Sequence, residues 1–305
     1  MAGHLLDLMP PHREYVEVFG GGASLLFAKQ KAVIEVYNDL DGGLVHFFRV
    51  LRDPLQSKLL IELLDQTLYS RKEHIAARAW ADEEEPVERA RKWFILARQS
   101  FGGNFYGNSW GFGVSGESGA SPVGNYVSAR SLLTQASARL KDVQIECVDW
   151  RRVLEIYNHP TTLIYCDPPY LPETRKSGGY EHELTREDHE ELLITLDEFP
   201  GMVMLSGYDN PLYRNLDAIG WQRETFETAC MTAGRTRNSK LQGKGAVKAQ
   251  ASRTEIVWRN PAAMAAWQTL KTTEMGLLSP PDGWGRKPVW NEGNAESNPG
   301  EQPTT

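Results

Sequence analysis

A carboxylate followed by two prolines and a tyrosine is the pattern in this sequence best suited to chemistry. Asp167-Pro168-Pro169-Tyr170 follows the apolar run Leu163-Ile164-Tyr165-Cys166, which predicts a buried strand. In open α/β sheets ligands bind at the carboxyl ends of strands, and each proline restrains the backbone. Asp167 and a proline carbonyl could accept both hydrogens of an exocyclic amine, leaving its lone pair free to attack a methylsulfonium while Tyr170 stacks on the base. A plain strand-ending turn is the alternative interpretation.

A glycine-rich turn follows the first predicted strand. Phe19-Gly20-Gly21-Gly22 comes directly after Tyr15-Val16-Glu17-Val18, and glycine allows a ligand to approach the backbone closely. The third glycine of a dinucleotide-binding pattern is missing, and no His, Tyr or Lys set suggests hydride transfer, so a nicotinamide oxidoreductase is disfavoured.

Two further acids end predicted strands. Asp39 follows the strand Val33–Tyr37, where an acid commonly accepts hydrogen bonds from ribose hydroxyls; a turn or helix-capping role is the alternative. Asp149 follows the strand Val143–Val148. It could accept from the amino group of a cofactor adenine, or it could cap the helix that follows.

The order of the elements predicts a doubly wound α/β sheet with an insertion. A strand, a turn, a helix and a second strand open the chain, and strands return after residue 141. Between them lie helical patterns over 54–97 and 128–140 and a glycine-rich loop over 101–126. Thr185 and Asp188 predict a capping box, and a final strand pair is predicted over 223–229 and 254–258. We therefore predict a catalytic domain of residues 1–53 and 141–262, an insert of 54–140, and a partly disordered polar tail of 263–305.

Charge is distributed unevenly along the chain. The 305 residues carry a net charge of −7, which by itself argues against a nucleic-acid partner. The stretch 229–254, however, contains no acid and is basic, so a local surface for a polyanion is predicted. Its basic residues are Arg235, Arg237, Lys240, Lys244, Lys248 and Arg253.

Cysteine usage and hydropathy predict an intracellular, cytoplasmic protein without a metal site. The cysteines are scattered singly, without metal-ligand spacing, which fits a reducing compartment. Cys147 and Cys166 lie in apolar runs and are predicted to be buried. No apolar run is long enough to span a bilayer, and the first residues do not resemble a secretory signal.

Taken in order, these motifs resemble the Dam-like class of N6-adenine DNA methyltransferases. Phe19–Gly22, Asn38-Asp39 and Asp167–Tyr170 occur in the order of that class over about 15–261. The resemblance implies a Rossmann-like sheet with a reversed last strand, S-adenosylmethionine (AdoMet) as cofactor, and an inserted, mainly helical target-recognition module. It assigns Phe19, Gly20, Gly21, Gly22 and Asp39 to AdoMet and Asp167, Pro168, Pro169 and Tyr170 to a flipped adenine. Leu205-Ser206-Gly207-Tyr208 matches a later motif that lines the base pocket.

One departure and several alternatives accompany the resemblance. The class has a Gly-Gly-Lys-type segment that reaches the cofactor, whereas the first lysine here is Lys29; either the start is truncated or AdoMet binds without that lysine. Other acceptors remain open, namely cytosine N4, RNA or a protein amide, although relatives acting on cytosine or glutamine tend to carry Ser or Asn in place of Asp167. A DNA-binding protein that has lost catalysis is a further alternative.

The partner implied is double-stranded DNA, from which the target base must be extruded. Polar and aromatic residues of the insert suit base reading and stacking, with an ordinary surface loop as the alternative. The basic stretch suits phosphate contact, with a solvated, flexible strand connection as the alternative. The predicted DNA-binding residues are Arg98, Asn104, Tyr106, Asn108, Trp110, Arg235, Arg237 and Lys240.

Overall fold

A computed structural model of the protein describes residues 2–79, 84–101, 105, 109–113, 121–171, 182–229 and 252–274. Within these ranges the strands are β1 (Glu14–Glu17), β2 (Ile34–Asn38), β3 (Gln144–Glu146), β4 (Thr162–Cys166), β5 (Met202–Gly207), β6 (Gln222–Ala229) and β7 (Ser252–Arg259). They form one seven-stranded sheet in the order β3-β2-β1-β4-β5-β7-β6. Strands β1 to β5 are parallel to one another, whereas β7 runs antiparallel to both β5 and β6. The predicted Rossmann-like sheet with a reversed last strand is confirmed.

The helices cover both faces of this sheet. They are α1 (Ala2–Leu8), α2 (Ser24–Ala28), α3 (Gly42–Arg52), α4 (Pro54–Gln66), α5 (Arg71–Ala77), α6 (Pro86–Gln99), α7 (Pro122–Ser131), α8 (Leu133–Leu140), α9 (Trp150–Ile156), α10 (Arg186–Asp197), α11 (Asn215–Ala218) and α12 (Pro261–Glu274). No helix in the described part of the chain is both long enough and apolar enough to cross a bilayer.

Two buried clusters divide the core between the faces. Val16, Val36 and Ile164 pair across the three central strands and pack with α9, α10 and α11. On the other face Tyr15 and Tyr37 pack with α1 to α4, α6 to α8 and α12. The helices α4, α6, α7 and α8 of the insert therefore share a continuous core with the sheet, because Leu60, Phe94 and Leu133 belong to the same cluster as Tyr15.

Side-chain caps fix where several helices begin. Asp41 accepts from the backbone N–H groups of Gly43 and Leu44 at the start of α3. The predicted capping box is present at α10, where the Thr185 hydroxyl accepts from Asp188 N and the Asp188 carboxylate accepts from Thr185 N. Caps of this kind satisfy donors that the first helical turn leaves open.

Three segments differ from their sequence predictions. Helix α1 was not predicted; α7 begins at Pro122, inside the predicted loop of 101–126, after a Ser121 cap; and α12 occupies the start of the predicted tail. The Asn260 side chain accepts from Ala263 N at the start of α12, and Ala263 is fully buried, which anchors that helix to the core.

The prediction of two buried cysteines is half right: Cys166 is buried, but Cys147 is exposed because β3 ends one residue before it.

Candidate active site

Asp167 and Tyr170 lie at the carboxyl end of β4, as the sequence predicts. The Tyr170 hydroxyl donates to Asp167 Oδ1 at 2.9 Å. The Tyr170 ring lies 4.3 Å from the ring of Tyr208, which follows β5. Tyr165 and Ser206 share a hydrogen bond of 3.0 Å that joins β4 to β5 just below these loops. The structure thus brings together the Asp-Pro-Pro-Tyr motif and the tyrosine of the later motif.

The Asp167 carboxyl is accessible to solvent but is set among protein atoms. This desolvation raises its pKa to about 6, against the opposing effect of the Tyr170 hydrogen bond, and the nearby Glu255 carboxylate raises it further. Pro168, the next residue, is buried, and Pro169 is half-buried. The carboxyl is therefore accessible to a ligand, while the residue that follows it is packed in the protein.

The glycine loop is built against the end of β2. A Cβ on Gly20 would lie 2.1 Å from Tyr37 Cε2, so only glycine fits at that position. The Tyr37 hydroxyl donates to Gly21 O at 2.7 Å, and Gly20 N donates to Asn38 O at 2.9 Å. Gly21 and Ala23 adopt positive φ angles of 46° and 53°, which sharpen the turn into α2.

The outer side of the loop is open. A Cβ on Gly21 would meet nothing within 4 Å, and one on Gly22 would meet only Ser24 Oγ at 3.9 Å. Phe19 packs its ring against the buried cluster below. A ligand can therefore approach the backbone of Gly21 and Gly22 closely, as the sequence predicts for a cofactor loop.

The two other predicted cofactor acids have local partners. Asp39 Oδ2 accepts from Gly21 N at 2.7 Å and Oδ1 accepts from Asp41 N at 2.8 Å, so Asp39 ties the glycine loop to β2. Asp149 caps α9 by accepting from Arg151 N at 2.9 Å, which is the capping role left open by the sequence. Each carboxylate oxygen retains a lone pair, so a ligand role for both remains a prediction.

The sequence did not predict that two polar side chains, Asn38 and Glu17, are buried beneath the site. Asn38 is 2% exposed and bonds to the ends of both neighbouring strands. Glu17, also 2% exposed, ends β1; its burial raises its pKa to about 8, although Leu26 N donates to it. The available signal for Glu17 was a charged residue between two valines just before a glycine turn.

Of the predicted DNA-binding residues, Arg98 and Trp110 are described. Arg98 is exposed at the end of α6. Trp110 stacks on Phe112 at 5.7 Å, and the Arg71 guanidinium lies 4.8 Å from the Trp110 ring centroid; neither Arg71 nor Phe112 was predicted. The other predicted residues lie outside the described ranges: Asn104, Tyr106, Asn108, Arg235, Arg237 and Lys240.

The end of β6 and the start of β7 lie at the same edge of the sheet as Asp167. Gly207 at the end of β5 pairs with Ile256 of β7, and Ala229 at the end of β6 pairs with Ser252 at the start of β7. Because β7 runs antiparallel to β5, its first residues extend past the carboxyl end of β5. The acid-free stretch is thus attached at this edge.

Comparison with known proteins identifies the family. A family model described as D12 class N6 adenine-specific DNA methyltransferase matches residues 1–218. No curated protein sequence matches the chain. One solved structure, assigned as an RNA methyltransferase from Pyrococcus horikoshii, is 12% identical and covers 62% of this chain and 96% of its own, with a TM-score of 0.22. The family match contains the glycine loop and the whole Asp167–Tyr170 motif, and the chain belongs to the D12 class of N6 adenine-specific DNA methyltransferases.

Proposed function

We propose that this enzyme transfers a methyl group from AdoMet to N6 of a flipped-out adenine at a specific site in double-stranded DNA. One observation carries the proposal: the glycine loop and Asp167 leave neighbouring strands at the same edge. Glu17 at the end of β1 pairs with Tyr165 of β4, and Val18 N donates to Tyr165 O at 3.1 Å. A cofactor on the loop and a base held by Asp167 would meet at that edge.

The residues present fit AdoMet. The open backbone at Gly21 and Gly22 gives room for close approach, and the acids Asp39 and Asp149 stand at the ends of the next two strands along. Phe19, Gly20, Gly21, Gly22 and Asp39 would hold the donor, with Asp149 beside its adenine. When bound, AdoMet supplies an electrophilic methyl group on a sulfonium.

Asp167 and the proline carbonyls would orient the amine of the target adenine. They would accept its hydrogens in place of the Tyr170 hydroxyl that Asp167 now binds. Asp167 would take up the amine proton that is released when the methyl group passes from the sulfonium to N6, and would pass that proton to solvent. Tyr170 would stack on the base, and Tyr208 would line its pocket, so the two rings must part to admit it.

DNA contacts would come from two regions. The insert of 54–140 would read bases with Arg98, Asn104, Tyr106, Asn108 and Trp110. The stretch with Arg235, Arg237 and Lys240 would bind phosphates. Changing Arg235 and Arg237 together to Ala should weaken binding to every DNA sequence and flatten its salt dependence; unchanged binding and slope would remove the phosphate role.

The test is to incubate the protein with labelled AdoMet and unmethylated DNA and to identify methylated nucleosides by mass spectrometry. The wild type should form N6-methyladenine and Asp167→Ala should not. Asp209→Ala is the matched control, because Asp209 also follows a strand at this edge but is paired with Arg214. N4-methylcytosine, or transfer only to RNA or protein, would contradict the proposed acceptor, and AdoMet binding without any turnover would identify a catalytically impaired relative.

A further inference from the structure

Asn38 joins the ends of three parallel strands with one side chain. It ends β2, between β1 and β3. Its Nδ2 donates to Val18 O at 2.9 Å and to Val148 O at 3.1 Å, and its Oδ1 accepts from Val148 N at 3.0 Å. The amide is therefore fully engaged, with two donors and one acceptor used.

The bonding partners of Asn38 directly precede the proposed cofactor residues in the chain. Val18 immediately precedes Phe19 and the glycine loop, and Val148 immediately precedes Asp149. The backbone carbonyl of Asn38 also accepts from Gly20 N at 2.9 Å. One residue thus holds both the glycine loop and the Asp149 turn, and its chain neighbour Asp39 binds Gly21.

We propose that Asn38 is a positioning residue of the cofactor site, which sets the separation between the glycine loop and Asp149 so that the nucleoside of the methyl donor fits between them. This inference rests on the proposed function, which places the donor at that loop. No other side chain of this length offers two donors and an acceptor. An aspartate at 38 would place a carboxylate against two carbonyl oxygens, and those buried acceptors would lose their donors.

A matched control separates positioning from simple stabilisation. Asn260 is also buried and also makes three bonds: to Gly201 O at 2.9 Å, from Val203 N at 3.0 Å and from Ala263 N at 2.9 Å. Gly201 precedes β5, so Asn260 lies at the opposite edge of the sheet from the glycine loop. Asn38→Asp removes two donated bonds and Asn260→Asp removes one, so each substitution sets a buried carboxylate against carbonyl oxygen at one of the two edges.

The experiment measures AdoMet binding by calorimetry, thermal unfolding, and steady-state methylation of DNA for the full-length protein and both variants. Both substitutions should lower the melting temperature. Only Asn38→Asp should raise the AdoMet Kd and KM, by about tenfold or more, with the KM for DNA unchanged, whereas Asn260→Asp should keep the AdoMet Kd within about twofold of wild type.

The inference is overturned if Asn38→Asp binds AdoMet like the wild type, or if Asn260→Asp weakens it equally. Should Asn38→Asp fail to fold, Asn38→Ser keeps one hydroxyl donor and should give an intermediate loss of affinity; an unchanged Kd in that variant would overturn the inference as well. If the wild type itself does not bind AdoMet, the proposed function fails first and the inference fails with it.

Discussion

Asp167 accepts a hydrogen bond from Tyr170 in the structure, and in the proposed reaction it would accept from the target amine instead. The ionised carboxyl only accepts hydrogen bonds, whereas the protonated carboxyl also carries a donor, so protonation of Asp167 would weaken its binding of the amine. Desolvation by the surrounding protein atoms raises its pKa to about 6, while the Tyr170 hydrogen bond lowers it. The pH response of the enzyme should therefore report this one carboxyl.

We expect kcat/KM for DNA to fall about tenfold per pH unit below pH 6, since Asp167 is then protonated in the free enzyme. Tyr170→Phe removes the hydrogen bond that favours ionisation, so its midpoint should move to higher pH. Methylation rates between pH 5 and 8 test this, with DNA binding followed over the same range as the control. A flat profile, or a midpoint in Tyr170→Phe that moves to lower pH, contradicts the assignment.

Glu17 predicts a pH dependence of stability rather than of rate. Its pKa is raised by burial from an ordinary 4.5 to about 8, so the native state holds this proton more tightly than the unfolded chain. The stability it contributes is full below pH 4.5 and is lost as the pH rises through 8.

Glu17→Gln, which mimics the protonated acid, should have little effect on the free energy of unfolding at pH 5 but should stabilise the protein at pH 8.5 by at least ~2 kcal/mol. Urea unfolding at the two pH values measures the difference. Glu146→Gln is the control, because Glu146 ends β3 without such burial. An equal effect of Glu17→Gln at both pH values would show that Glu17 keeps its ordinary pKa.

At this scale the sequence predicted the proposed ligand-binding residues but not the buried hydrogen bonds of the polar residues beneath them. Asp167, Tyr170 and the glycines are visible because their types and spacing are unusual after a strand. Asn38 and Glu17 are single polar residues whose importance depends on which strands lie beside β1 and β2. That adjacency is a property of the sheet and not of any local segment.

Among the elements, the glycine loop has the least room for change. Gly20 lies directly on the Tyr37 ring, which packs in turn against Phe48 at 5.0 Å. Any side chain at position 20 must push the loop away from β2 and break the bond from Tyr37 to Gly21.

Gly20→Ala should therefore abolish measurable AdoMet binding while the protein stays folded. Gly42→Ala is the control: Gly42 begins α3 and a Cβ there meets nothing within 4 Å, so it should bind normally and be up to ~1 kcal/mol more stable. Calorimetry and thermal unfolding of both variants provide the measurement, and normal AdoMet binding by Gly20→Ala would contradict the role of the loop.

Strands were predicted to within a few residues, whereas the terminal helices were not. Apolar runs in the sequence indicate the strands. Helix α1 gives no such local signal, because it is too short to form alone. Long-range bonds hold it, from Arg259 Nη1 to Leu8 O and from Trp267 Nε1 to Asp7 O. Such partners lie about 250 residues away in the chain, beyond the reach of local patterns.

Across the whole molecule, a buried ion cluster ties the insert to the sheet. Glu35 of β2 binds Lys29 Nζ at 2.6 Å and pairs with Arg139 of α8. The side chains of Glu35 and Lys29 are almost completely buried. Arg139 also donates to Leu26 O, so the last helix of the insert contacts both β2 and α2.

Glu35→Gln should cost about 3–5 kcal/mol of stability, because it leaves buried cations without their charge partner. Asp142→Asn, which breaks the exposed Lys31–Asp142 pair, should cost less than ~1 kcal/mol. Urea unfolding followed by circular dichroism and tryptophan fluorescence tests this; equal losses in the two variants would show that the cluster does not hold the insert.

The shared core of sheet and insert also limits how recognition can be exchanged between relatives. A transplant of 54–140 alone would separate Leu60, Phe94 and Tyr126 from Phe47 and Tyr37, with which they form one cluster. A hybrid protein that takes residues 54–140 from a relative would also need the buried residues of α3 from that relative, or new residues at the contact between the two parts. Under the proposed function, in which residues 54–140 read the target, a change of target preference would therefore also change residues that pack against the sheet.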